Sequence, residues 1–156
     1  MARQIKLLPE ETRQKLGVGP VVTSVDDVVR ELVENSIDAN ATFIQVVLTD
    51  NGLSKIMVTD DGTGLRESDI VMLGQRGCTS KITSYSDLTR ASSLGFRGEA
   101  LHSICICASS VSISSKTAAD SLGTSITLDS KNRTAISCGT RVVVAEPLSA
   151  FPVRRE

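Results

Sequence analysis

The chain has 156 residues, 40% of them hydrophobic and 22% charged, enough for one soluble domain with a real core. Aromatics are only 3% with no Trp, so that core must be aliphatic. Seventeen Lys and Arg stand against 18 Asp and Glu, a net charge of −1 that gives no general pull toward nucleic acid. No apolar run approaches membrane-spanning length, and the N-terminus (MARQIKLLPEE) lacks the apolar core of a secretory signal.

In chain order, Pro9 to Leu16 predicts a short helix with Pro placed early and acids in the first turn, ended by Gly17, Gly19 and Pro20. Ser24 caps a second helix, with Asp27 three residues on as a capping-box partner. Val25, Val28, Val29, Leu32, Val33 and Ile37 repeat at helical spacing and predict one apolar stripe packed on a sheet. Asn40 closes it, since Asn tolerates the left-handed conformation. Thr42 to Leu48 is β-branched and reads as a strand, Asn51-Gly52 as a hairpin turn, and Lys55 to Thr59 as the returning strand. Glu67 to Leu73 predicts a short helix. Gly74 to Ser93 is polar and broken by Gly, Ser and Thr, a length that suits a lid or binding loop. Glu99 to Ala108 predicts a helix, and Val111 to Ser115, Ser125 to Leu128 and Arg141 to Val144 predict strands. Cys78, Cys105, Cys107 and Cys138 show no CxxC spacing, and His102 is the single histidine. Reduced, mostly buried thiols are expected rather than a zinc site.

Four segments carry chemistry. ELVENSIDA, Glu31 to Ala39, sets Glu31 and Asn35 four apart on one helical face. An amide oxygen there suits a hard cation, and a carboxylate suits proton abstraction from water. TDDGTGL puts Asp60 at a strand end, where a carboxylate can accept from an exocyclic amine, with Gly62 and Gly64 allowing close backbone approach. By itself this segment reads more readily as a plain Asp-Gly turn. GFRGEAL, Gly95 to Leu101, sits at the mouth of a helix, a place suited to phosphate. Thr79, Ser80 and Lys81 lie in the polar loop upstream, and Gly139-Thr140 precedes an apolar strand. Each of these alone fits an ordinary loop or turn.

Taken in order, E-x-x-x-N on a helix, D-x-G-x-G after a strand, a Gly-rich lid and G-T before a strand resemble the GHKL ATPase superfamily, which includes DNA gyrase B, Hsp90, histidine kinases and MutL. ELVENSIDA, GFRGEAL, TSK and the terminal PVRR resemble the MutL mismatch-repair family within it, from about Leu8 to Arg155. Ser103 to Asp120 and the opening residues are most similar to a eukaryotic post-meiotic-segregation homologue. The resemblance implies an α+β, two-layer sandwich of the Bergerat type, with a mixed, mostly antiparallel sheet covered on one face by helices. It implies ATP and Mg²⁺ as ligands. Glu31 becomes the general base, Asn35 the Mg²⁺ ligand, and Asp60 the acceptor for the adenine amino group, helped by a water that Thr140 also holds. Asp38, Ala39, Gly62, Gly64 and Leu65 would line the nucleotide. Thr79, Ser80, Lys81, Gly95, Phe96, Arg97, Gly98, Glu99, Ala100 and Leu101 would belong to the lid and phosphate loops.

Residues 1–156 then correspond to the nucleotide-binding part of the N-terminal region, without the second subdomain, whose lysine contacts the γ-phosphate, and without the C-terminal dimerisation region. Nucleotide binding with slow turnover is the expectation. Function by resemblance is an ATPase whose nucleotide state orders the lid and drives N-terminal dimerisation in mismatch repair; the alternative is a non-catalytic interaction or regulatory fragment. The implied partners are a MutL-family heterodimer partner and a MutS-type mismatch-recognition complex, with weak DNA contact, no membrane and a nuclear location. Several places depart from the family pattern: Val18 to Val22 replaces its A-G-E-V-V segment, Asn40 a common Gly, Asp61 a common Asn beside Asp60, and His102, which is given no role, a small residue.

Overall fold

The computed structural model describes residues 6–7, 22–73, 78–79 and 100–150. The elements are β1 (Lys6–Leu7), α1 (Val25–Asp38), β2 (Ile44–Thr49), β3 (Lys55–Asp60), α2 (Glu67–Ile70), β4 (Cys78–Thr79), α3 (Ala100–Cys107), β5 (Ser110–Lys116), β6 (Gly123–Ile126), β7 (Lys131–Thr134) and β8 (Gly139–Ala145). The helix expected over Pro9 to Leu16 and most of the lid from Gly74 to Ser93 lie outside the described residues.

Ser24 starts α1 through a reciprocal capping box. The Asp27 amide donates to Ser24 Oγ at 3.2 Å, and the Ser24 amide donates to Asp27 Oδ2 at 3.1 Å. Asp27 Oδ2 also accepts from the Thr23 amide and hydroxyl, and Arg30 donates to Oδ1. The Thr23 hydroxyl leads the causes that hold the Asp27 carboxyl down at about 2. A folded-state value below the ordinary 3.8 means that this contribution is fully present above about pH 4 and lost as pH falls toward 2. Asp27→Ala is therefore expected to cost about 1 kcal/mol near neutral pH. Urea midpoints of the variant and the parent should converge as pH is lowered through that window; a gap constant with pH contradicts the assignment.

The apolar stripe of α1 is shorter than its sequence pattern. Val28 and Leu32 are buried and Val25 and Val29 pack against the core, but Ile37 is 49% exposed, because Ser36, one residue and about 100° away around the helix, takes the sheet-facing position there. Asn40 takes a left-handed φ of 57° past the helix end, as its residue type predicts. The β2–β3 hairpin turns through Asp50, Asn51 and Gly52, all at positive φ.

Six strands form one sheet in the order β2-β3-β8-β5-β6-β7, and every pairing in it is antiparallel. Strands β3, β5 and β7 run in one direction and β2, β8 and β6 in the other, so no two parallel strands are neighbours. Ile56, Val58, Val144 and Ile113 are buried on one face of the sheet; the first three share the core with Val28 and Leu32 of α1 and Ile104 and Cys107 of α3. The core is aliphatic, as the composition requires. Cys105, Cys107 and Cys138 are free thiols; only Cys107 is buried, Cys105 being exposed and Cys138 half-buried. Strand β7 (KNRT) has no apolar alternation and no sequence signal. It forms because β6 offers a free edge and because Lys131 and Arg133 reach Glu67 of α2 at 2.5 and 3.1 Å.

Candidate functional site: a carboxylate-centred pocket floor

Register creates the centre of the site. Asp60, Thr140 and Ser115 sit opposite one another on β3, β8 and β5, so their side chains form one row across three strands. The row lies on the helix-covered face, one step beyond the apolar row Val58, Val142 and Ile113.

Asp60 is held by three donors. Ser36 Oγ, from the last turn of α1, donates to Oδ2 at 2.8 Å; the Gly62 amide donates to Oδ1 at 2.9 Å and the Thr140 amide at 3.2 Å. The Ser36 hydroxyl also lies 3.2 Å from the Leu32 carbonyl, but its one proton goes to the closer, charged acceptor. Two donors occupy Oδ1 and one occupies Oδ2, so one acceptor position remains on Oδ2. Thr140 contributes its backbone amide here, while its hydroxyl lies 2.8 Å from Ser115 Oγ. Ser115 gives its single proton to the Gly139 carbonyl and accepts from the Leu65 amide, each at 2.8 Å, so the Thr140 hydroxyl is the donor to Ser115. That leaves Thr140 Oγ1 as a second acceptor beside Asp60.

The loop after β3 is pinned to α1 and β5. The Thr63 amide donates to the Ala39 carbonyl at 2.9 Å. Two glycines permit the close approach. Gly64, at φ +70°, would put a Cβ 2.0 Å from the Lys116 carbonyl oxygen; Gly139, at φ +128°, would put one 2.0 Å from the carbonyl oxygen of Asp60. No side chain fits either position without parting the strands. Asp61, beside Asp60 in sequence, points elsewhere. It accepts from the Thr42 hydroxyl at 2.6 Å and from the Thr42 and Phe43 amides at 2.7 and 2.8 Å. The Thr42 hydroxyl first, then the Phe43 amide, hold its carboxyl below the usual range. The two adjacent acids therefore face different partners.

Glu31 and Asn35 lie on the flank of α1 one residue before the buried row Leu32 and Ser36, about 100° around the helix. The opposite flank, Val25 and Val29, is apolar, and Val25 sits over the β2–β3 turn near Leu48. The acid–amide flank thus faces away from β2. Asn35 adjoins Ser36, and Glu31 is one turn further from the Asp60 end. Asp38 ends α1 and Ala39 caps it. Gly62, Gly64 and Leu65 fall in the loop, as the motif predicts. Thr79 lies in β4, paired with Lys6. Ala100 and Leu101 open α3, where Leu101 packs against the core. Ser80, Lys81, Gly95, Phe96, Arg97, Gly98 and Glu99 lie outside the described residues. The sequence reading missed Ser36 and Ser115. Ser36 could have been found as the polar residue continuing the i, i+4 row Val28, Leu32; Ser115 only from the strand register.

Residues 22–144 match the family of histidine kinase-, DNA gyrase B- and HSP90-like ATPases. The chain belongs to this ATPase family. Among curated relatives, it is 40% identical to the PMS1 protein homolog 1 of Homo sapiens, over 97% of this chain and 17% of that protein. It is 41% identical to the DNA mismatch repair protein MutL of Thermodesulfovibrio yellowstonii, over 98% of this chain and 29% of that protein. The chain thus spans less than a third of either relative. The Aquifex aeolicus MutL ATPase domain complexed with ADP superposes with a TM-score of 0.64 at 29% identity, covering 86% of this chain and 47% of that one. The N-terminal domain of a DNA repair protein superposes with a TM-score of 0.72 at 34% identity, covering 94% and 42%. The two-layer fold expected from sequence is that of these ATPase domains. Among the described residues no group of three or more His, Cys, Asp or Glu could hold a metal ion, and no helix is long and apolar enough to cross a membrane.

Proposed function

We propose that the chain binds Mg²⁺-ATP between α1, the Asp60–Leu65 loop and β8, as the nucleotide-binding part of a MutL-like mismatch-repair ATPase. The observation that carries this reading is the Asp60 carboxylate, locked by three donors with one acceptor position open on Oδ2. An ionised, oriented acceptor selects an exocyclic amine, which adenine has and guanine lacks at the same ring position. Thr140 Oγ1 beside it suits a bridging water. A cation held by one amide and the nucleotide's own phosphates needs no carboxylate cluster, so Asn35 fits the role of its single protein ligand.

When bound, the cation neutralises charge on the phosphates. Glu31, one turn along the same flank, accepts the proton of the attacking water. Asp38, Ala39, Gly62, Gly64 and Leu65 shape the adenine side. Thr79, Ser80, Lys81, the Gly95–Glu99 segment, Ala100 and Leu101 serve the phosphate side. The proposal extends to nucleotide-driven pairing with a MutL-family partner and coupling to a MutS-type complex, supported by likeness to mismatch-repair proteins, and to a nuclear location, supported by likeness to the human one. DNA contact is read as weak and salt-sensitive, because cations and acids balance along the chain.

Thermal unfolding with Mg²⁺-ATP or Mg²⁺-GTP tests the pocket. At a hundredfold excess over Kd, ATP should stabilise the chain by about 2.7 kcal/mol, several degrees in Tm. GTP at the same concentration should do much less. Equal shifts, or none, remove the adenine reading.

A further inference from the structure

We propose that the outer edge of β2 is a docking site for an extended strand of another protein, one with alternating apolar residues and basic residues at both ends. The inference is independent of the nucleotide pocket and rests on the two ends of the sheet being built differently.

Edge strands expose unpaired amides and carbonyls and are ordinarily blunted by charge. The β7 edge follows that rule: it is four residues long and carries Lys131 and Arg133. The β2 edge does not. It runs six residues, IQVVLT, with no charge and no Pro. Its free backbone groups can be assigned. The Asp61 amide donates to the Phe43 carbonyl, so Phe43 turns its backbone toward β3; by alternation Gln45, Val47 and Thr49 do the same. Ile44, Val46 and Leu48 therefore direct three amides and three carbonyls outward. The same three residues place their side chains on the helix-covered face. Val46 is 38% exposed and Leu48 47%, beside the apolar flank of α1 that ends in exposed Ile37.

Charge marks the occupant. Exposed Asp50 follows the C-terminal end of the strand, and exposed Asp61 is bonded to Thr42 and Phe43 at the N-terminal end. A second copy paired antiparallel about Val46 would satisfy all six outward groups, but it would set Thr42, with its Asp61, opposite Asp50 at both ends. Like charges there disfavour self-pairing, whereas Lys or Arg at both ends of a partner strand meets an acid at each. The partner strand supplies apolar side chains to Val46 and Leu48 and main-chain bonds to Ile44, Val46 and Leu48.

The probe is a fluorescein-labelled peptide with valine alternating with threonine between two terminal lysines, titrated into the 156-residue chain. Saturable binding is expected, weakening with salt. A glutamate-ended version should bind at least tenfold less tightly. Hydrogen exchange should show the Ile44, Val46 and Leu48 amides fast in the free chain and slowed by the peptide, with Gln45 and Val47 slow in both. Val46→Pro removes an outward amide and no bond within the sheet, and should abolish binding. Asp50→Asn, compatible with the positive φ there, should weaken binding about two- to fivefold and guards against a Pro variant that fails to fold. The proposal is overturned by no binding, by equal binding of both peptides, or by outward amides already slow in the free chain, which means that the chain covers its own edge. A dimer in sedimentation that Val46→Pro disrupts also overturns it, in favour of a second copy.

Discussion

Asp60→Asn should weaken ATP binding by about a hundredfold or more while leaving the fold in place. The substitution keeps the side-chain shape, and the amide oxygen can still accept from Gly62 and Thr140. The amide nitrogen then replaces Oδ2, so the open acceptor becomes a donor facing the donor on adenine. Loss of a charged hydrogen bond plus an unpaired donor pair accounts for the magnitude. The variant should also gain relative affinity for GTP, whose exocyclic carbonyl oxygen accepts where the adenine amine donates. Isothermal titration with both nucleotides reads the two changes together. Unchanged ATP affinity in a folded Asn variant would show that Asp60 holds the loop and does not touch the base.

Glu31→Gln should separate binding from chemistry. Glutamine matches the size of glutamate but cannot take a proton from water, and loss of a general base lowers the rate by about 10²–10⁴-fold. Affinity for Mg²⁺-ATP should change little, because Asp60 and Asn35 remain. Single-turnover hydrolysis is the appropriate measurement, since this chain covers 42–47% of the solved domains it superposes on. A Gln variant that hydrolyses at the parental rate assigns the proton elsewhere.

Much of the fold was legible because local rules governed it. The α1 start followed from Ser24 and Asp27, whose capping bonds span three residues. Its end followed from Asn40, and the β2–β3 hairpin from a turn of left-handed residues. What escaped depended on neighbours. Strand β7 exists because β6 has a free side and Glu67 of α2 is near enough to take two cations. Ile37 continues the apolar spacing yet is exposed, because Ser36 beside it takes the position that faces Asp60 on the sheet.

The site divides the same way. Glu31, Asn35, Asp60, Gly62, Gly64 and Thr140 were legible through the order of their motifs along the chain and the family that this order resembles, not from any one segment alone. The two serines that complete the carboxylate's setting did not, since serine on a helix or strand has no chemical signature until its neighbour is known. The paired acids make the point most sharply: Asp60 and Asp61 are the same residue type in adjacent positions, and the chain alternates their faces at the strand end. One meets Ser36, 24 residues earlier; the other meets Thr42, across a hairpin.

The order of residues determined which elements form, where they begin and end, and which segments carry ionisable and backbone-accessible chemistry, because capping, turn formation and periodicity act within a few positions. Tertiary structure alone decided that Asp60, Thr140 and Ser115 share a row, that one acceptor position on Asp60 Oδ2 stays open, and that the uncharged strand β2 lies at a sheet edge. Those outcomes depend on strand register and sheet order, which are set by packing between residues distant along the chain.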